Sequence, residues 1–150
     1  MIRLADIDET NFFAARAMTL REDQRRFLDS PVGIIARGCV YRAQRARVLA
    51  VVEGERVVGL LLVKDMDEDP ACYDLQQFMI DSRFQGQGYG KAALGLLLDD
   101  LRAERKYDAV EVCVHRDNAA ALALFTAAGF RNTGYVDPDA PDCLNLMCRL

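Results

Sequence analysis

The chain has one histidine among 150 residues, and its five cysteines contain no C-x-x-C pair. With no cysteine or histidine at ligand spacing, no metal is expected, and Cys39, Cys72, Cys113, Cys143 and Cys148 read as reduced thiols. No apolar run approaches the length that spans a bilayer; runs such as Gly59 to Val63 and Leu94 to Leu98 are far too short. The first residues, Met-Ile-Arg-Leu-Ala-Asp-Ile-Asp, show no basic segment leading into an apolar one, so no signal peptide, no membrane partner and a cytoplasmic location are expected. A basic excess is also missing. The formal charge of −4 argues against nucleic acid as a partner and leans towards a cationic substrate.

What the chain has is a strand, a glycine-rich turn and a helix between Asp74 and Leu101. Residues 74 to 80 alternate, putting Asp74, Gln76, Phe78 and Ile80 on one face and Leu75, Gln77 and Met79 on the other. Ser82 to Gly90 reads as a turn, after which Leu94, Leu97, Leu98 and Leu101 form one helical stripe. Gly86, Gly88 and Gly90 permit positive φ and remove the Cβ atoms that would keep a ligand from converging backbone N–H groups. The helix start adds unpaired amides and a positive dipole end, its first turn has no carboxylate, and Arg83 and Lys91 bring mobile positive charge. A diphosphate is the expected guest. A Walker loop is excluded because Gln85 and Ala92 stand where it needs glycine and a hydroxyl residue, and the dinucleotide fingerprint fails where Lys91 replaces its third glycine.

The rest of the chain reads as one domain, residues 1–150, of α/β class. Ile2 to Leu4 is a first strand; Thr10 caps a helix running to Met18; Ser30-Pro31 starts a second helix reaching about Arg42. Between them Leu20 to Phe27 is polar and reads as a solvated connection. Val48 to Val52 and Arg56 to Val63 form a hairpin about Glu53-Gly54-Glu55, and Asp65 to Pro70 reads as an acidic surface loop. Ala109 to His115 is a strand, Ala119 to Ala128 a helix closed by Gly129, and Phe130 to Val136 and Cys143 to Leu150 a last strand pair.

Gln85-x-x-Gly88-x-Gly90 resembles the acetyl-CoA signature of the GNAT N-acetyltransferase superfamily, and Val114-x-x-x-Asn118 with Leu124-Phe125-x-x-x-Gly129-Phe130 is similar to that family's second motif. The element order agrees along essentially the whole chain. Within the family, Gln77 to Asp81 with the glycine turn, and Gln24-x-x-Phe27, look like the bacterial diamine and polyamine N-acetyltransferases. The resemblance implies a mixed, mostly antiparallel sheet of about seven strands with about four helices, and two central strands splayed around acetyl-CoA. The pantetheine arm would pair with backbone of Phe78, Met79 and Ile80, and the diphosphate would rest on Gln85, Gly86, Gln87, Gly88, Tyr89, Gly90 and Lys91. Asn118 would hydrogen-bond the arm or serve only as a helix cap, and Phe125 would pack against the arm. The implied reaction moves an acetyl group to a primary amine, a small polyamine or diamine first, another small amine or a protein amine otherwise. The last strand pair presents an edge for a homodimer, as in some relatives.

An alkylammonium resembles lysine, with a pKa of ~10.4, so about one molecule in ~10³ is nucleophilic at neutral pH, roughly 4–5 kcal/mol against attack. Asp74 stands where many family members place a glutamate base and is the candidate here, against the plainer reading of a strand-end surface carboxylate. A backbone N–H near Met79 is the candidate oxyanion donor. Many relatives carry a proton-donating tyrosine where this chain has Phe125, which leaves solvent or Tyr89, Tyr73 or Tyr135, and makes a CoA-binding sensor without turnover the alternative function.

Overall fold

The computed structural model describes residues 1–150. Its elements are β1 (Ile2–Asp6), α1 (Phe12–Arg16), α2 (Pro31–Val40), β2 (Arg47–Glu53), β3 (Arg56–Met66), β4 (Cys72–Ile80), α3 (Tyr89–Glu104), β5 (Ala109–His115), α4 (Ala119–Ala127), β6 (Arg131–Asn132) and β7 (Cys143–Arg149). The strands form one open seven-stranded sheet in the order β1-β2-β3-β4-β5-β7-β6. All neighbours are antiparallel except β4 and β5, which run parallel. That parallel pair is joined only at Tyr73 with Val110 and Asp74 with Glu111, and beyond it the two strands diverge. The expected α/β class, strand number and helix number are all present. No helix is long and apolar enough to cross a membrane.

The two faces of the sheet are packed differently. On one, the α3 stripe of Leu94, Leu97, Leu98 and Leu101 meets Leu61, Val63, Tyr73 and Leu75, with Phe125 and Phe130 closing the cluster. Burying four leucines contributes roughly 6–12 kcal/mol before entropy is counted. On the other face, Ala15, Met18 and Ile34 from α1 and α2 cover Ala50, Val52, Leu60, Leu62 and Met79. β3 is therefore buried on both sides, which is why Val57 to Val63 reads as an unbroken apolar run. At Gly59 a Cβ would sit 2.5 Å from the Met79 carbonyl oxygen, so the close β3–β4 approach admits no larger residue there.

Several local expectations are corrected. Strict alternation along β4 fails because the register with β3 shifts between Leu62, opposite Gln77, and Val63, opposite Leu75. The extra residue, Gln76, is a β-bulge that reverses the facing of everything upstream. Tyr73 and Leu75 thus share the α3 side with Phe78, while Asp74 belongs with Met79 on the other face. The Thr10 hydroxyl bonds Asp8 instead of capping α1, which is one short turn and a half from Phe12. Ser30 does cap α2, accepting from Gly33 N–H at 3.0 Å, and α2 ends at Val40. Helix α3 begins at Tyr89, inside the expected turn. Asp65 lies in β3, not in a surface loop: it is buried and accepts from Arg45 at 2.8 and 3.1 Å and from Lys106 at 2.5 Å, pinning the β3 end to the C-terminus of α3. The strand expected over residues 130–136 shrinks to Arg131–Asn132 because Gly134 takes a positive φ and Thr133 bonds Asn145 across the turn.

Candidate active site

The end of β4 is built around buried Asp81. Burial pushes its carboxyl up, but hydrogen bonds from Arg83 outweigh that and hold it below the usual range: the Arg83 amide donates at 3.0 Å and its guanidinium at 3.1 and 2.7 Å. Arg83 is thereby folded back onto Asp81 and is not a free cation for a ligand. After one 3-10 turn, Ser82–Phe84, the chain passes through Gly86 at φ +76° and Gly88 at φ +84° into α3. Gly88 is the N-cap and no side chain caps the helix, so the N–H groups of Tyr89, Gly90 and Lys91 face outward without an intrahelical partner. No atom lies within 4 Å of a Cβ placed on Gly86 or Gly88; backbone conformation, not crowding within the protein, demands glycine at both.

A cavity of about 460 Å³ opens where β4 and β5 part. Of the expected residues, Phe78, Met79, Ile80, Gln85, Gly86, Gly88, Tyr89, Gly90, Lys91, Asn118 and Phe125 line it; Gln87 and Asp74 do not. Its charged groups are Arg21 and Lys91, and no carboxylate reaches the lining. The Asn118 side chain accepts from Ala121 N–H at 3.3 Å and so caps α4. Phe125 is buried, edge-on to Phe78 and Phe130 at 6.2 and 5.2 Å.

The edge of β4 that looks into the cavity can be read from its hydrogen bonds. Asp81 N–H donates to Val58 of β3 at 2.9 Å, and the Met79 carbonyl oxygen lies against Gly59, whereas the Ile80 carbonyl accepts from the Gln85 side chain at 2.9 Å. Backbone groups alternate across an antiparallel pair. Met79 therefore turns its N–H towards β3, and the amides presented to the cleft are those of Phe78 and Ile80. The Met79 N–H, expected to be the oxyanion donor, therefore does not face the cleft.

At the closed, upstream end of the split lie Asp74 and Glu111, register partners across the parallel pair. Asp74 pairs with Lys64 at 3.2 Å, and its side chain is 20% exposed. Burial pushes the Asp74 carboxyl above its usual value despite Lys64, with Glu68 adding to the rise. Glu111 is also pushed up, by burial and then by Asp74, Glu68 and Asp137. Four carboxylates thus share one field. Of the three candidate tyrosines, Tyr89 alone lines the cavity; Tyr73 is buried with its hydroxyl accepting from Lys106 N–H at 3.2 Å, and Tyr135 lies exposed beyond β6. Burial pushes the Cys72 thiol up to about 11 and Cys113 to about 12, so neither offers a thiolate nucleophile at neutral pH.

The segment expected to be a solvated connection contributes a wall. Leu20, Arg21, Gln24, Phe27 and Leu28 all line the cavity, as do Ala120, Ala121 and Leu124 at the start of α4. The available signal was Leu20, Phe27 and Leu28, three large apolar residues bracketing a charged run that a wholly solvated segment would not need.

Comparison with known proteins agrees with this geometry. Spermine/spermidine N(1)-acetyltransferase of Bacillus subtilis (strain 168) is 31% identical over 84 residues, 56% of this chain and 55% of that protein; the chain spans about half the length of that curated relative. Among solved structures, the Salmonella typhimurium acetyl transferase that modifies the N-terminal serine of 50S subunit protein L7/L12 superposes with a TM-score of 0.79 at 16% identity, over 99% of this chain and 95% of that one. The PaiA N-acetyltransferase of Thermoplasma acidophilum, solved with coenzyme A, gives 0.69 at 14% identity, over 100% and 99%. The family pattern described as "Acetyltransferase (GNAT) family" matches residues 3–130, and with the splayed β4–β5 pair and its glycine turn in place, the chain belongs to that family.

Proposed function

We propose that residues 1–150 form one acetyltransferase domain that transfers the acetyl group of acetyl-CoA to a primary amine, with small polyamines or diamines as the acceptors. The carrying observation is the cavity at the β4–β5 divergence, ringed by unpaired backbone amides and two cations and free of carboxylates. Those features fit a diphosphate on an acyl carrier. Amides from Gly86 to Lys91, with the Lys91 ammonium, would hold the diphosphate, while Arg21 is paired with Asp23 at 3.0 Å; the cleft edge at Phe78 and Ile80 would pair with the amide-bearing arm. When bound, acetyl-CoA supplies an activated acyl group on a thiol leaving group. The N–H of Phe78 or Ile80 would stabilise negative charge on the acyl oxygen, and Tyr89 or solvent would supply the proton for the departing thiolate.

The amine must first lose its own proton. Asp74, directly or through a water, is the proposed acceptor: its carboxyl is pushed above the usual range, which brings a carboxylate base closer to the ammonium it serves. The same acidic end supports the choice of acceptor. A polycation meets Asp74, Glu111, Glu68 and Asp137 there, and the name of the Bacillus subtilis relative points the same way, although the Salmonella structure is named for a ribosomal protein terminus. A CoA-binding regulator without turnover is the second reading, favoured by Phe125, whose buried ring offers no proton.

Thiol release from acetyl-CoA, measured against spermidine, spermine, short diamines, amino acids and a peptide amine, tests this. Turnover with polyamines is expected. Turnover with the peptide amine alone would move the acceptor class, and tight acetyl-CoA binding with no turnover on any amine would leave the regulator.

A further inference from the structure

Gln85 opens the glycine signature, yet its side chain has no donor left for a phosphate. Its Nε2 donates to Gln24 Oε1 at 2.8 Å and to the Ile80 carbonyl at 2.9 Å, while its Oε1 accepts from Gln24 Nε2 at 3.1 Å. A carboxamide carries two donor hydrogens, and both are used. Gln24 sits in the middle of residues 19–29, which are tied to the β4 lip at two further points. The Thr19 carbonyl accepts from Ser82 N–H at 2.8 Å, and Asp29 N–H donates to Gln77 Oε1 at 3.1 Å. The same segment reaches the opposite lip, where Phe27 packs on the His115 ring at 5.2 Å and Arg26 pairs with Asp117 at 3.4 Å. Both members of that ion pair are more than half exposed and contribute little. The half-buried reciprocal amide pair is the stronger constraint.

We propose that residues 19–29 are a strap across the β4–β5 split and that Gln24 is its positioning residue, so that Gln85 acts by holding the strap and not as a phosphate donor. The pair sets Leu20, Phe27 and Leu28, which the strap contributes to the cavity wall, at a fixed distance from the cleft edge of β4. The donor's diphosphate keeps its backbone amides without help from this side chain. What the strap governs is where the acceptor amine can stand. The kinetic consequence rests on the acetyl-transfer reading of the cavity; the structural consequence does not.

The test uses the full chain with Gln24→Ala and Gln24→Glu, read by amide hydrogen exchange of residues 19–29, calorimetric Kd for CoA, and steady-state kinetics. In Gln24→Ala, exchange in the strap should accelerate about tenfold and kcat/KM for the amine should fall about tenfold, the scale of two neutral hydrogen bonds, while the CoA Kd changes less than about threefold. Gln24→Glu keeps an acceptor for Gln85 Nε2 and should recover part of both losses. Unchanged exchange, or a CoA Kd weakened as much as kcat/KM, would overturn the proposal. If the wild type acetylates no amine, the acetyl-transfer reading fails, and exchange and calorimetry still decide the role of Gln24.

Discussion

The two ends of β4 have opposite electrical characters. Downstream of Phe78 the strand edge leads to unpaired amides, Lys91 and Arg21, with no carboxylate in the cavity wall. Upstream, Asp74 and Glu111 face each other at the last paired position, within the field of Glu68 and Asp137. By simple electrostatics the downstream end favours an anion and the upstream end a cation. The difference teaches what the short β4–β5 pairing accomplishes. By holding the strands together only at Tyr73–Val110 and Asp74–Glu111, it keeps the carboxylates at the closed end and leaves the amides of Phe78 and Ile80 free at the open one.

The harshest way to break this division is to remove its acidic centre. Asp74→Ala should lower kcat by about 10²–10³-fold, the usual scale for a lost general base, with the CoA Kd unchanged by calorimetry. A loss of CoA affinity instead would mean that the upstream end serves the donor. Next is the downstream end. Gly88→Ala forces a Cβ onto a backbone at φ +84°, a strain of about 1–2 kcal/mol, and places that methyl in open space on the diphosphate side of the turn. The acetyl-CoA KM should rise about tenfold while the amine KM stays within about twofold; equal rises in both would erase the distinction between the ends.

The downstream end was legible because its chemistry is local. Glycines that need positive φ, a leucine stripe and a capping asparagine each carry their own signature, and Gly88, Leu94 to Leu101 and Asn118 take the places assigned to them. The upstream end was legible only in part because facing there depends on a partner strand. The bulge at Gln76 is a register shift against Leu62 and Val63, and nothing within residues 72–80 announces it. Asp65 and Gln24 were misread for the same reason. Each is polar in a polar stretch, and its role is set by a residue 20 or 61 positions away, Arg45 for one and Gln85 for the other. Arg83 errs in the opposite sense: a cation beside a phosphate turn reads as a ligand group, but the buried Asp81 two residues back claims it.

Smaller changes at the acidic end separate field from chemistry. Glu111→Gln removes a charge while keeping the shape; if the acidic end recruits polycations, the polyamine KM should rise about 3–10-fold, most at low ionic strength, with kcat nearly unchanged. A fall in kcat instead would make Glu111 part of the proton path.

The finest adjustment is to Lys64, which opposes the upward push of burial on Asp74. A base must be ionised to act, so activity on the acid side falls as pH drops through its pKa. Lys64→Met leaves the carboxyl in place but withdraws the one cation that favours its charged form, so the Asp74 pKa rises further and the acid limb of kcat/KM moves to higher pH. The limb should vanish in Lys64→Met/Asp74→Asn, whose residual rate no longer depends on that ionisation. A limb that stays put in Lys64→Met would mean that the titrating base is another group, and Glu111, which shares the acidic field, would be the next to replace.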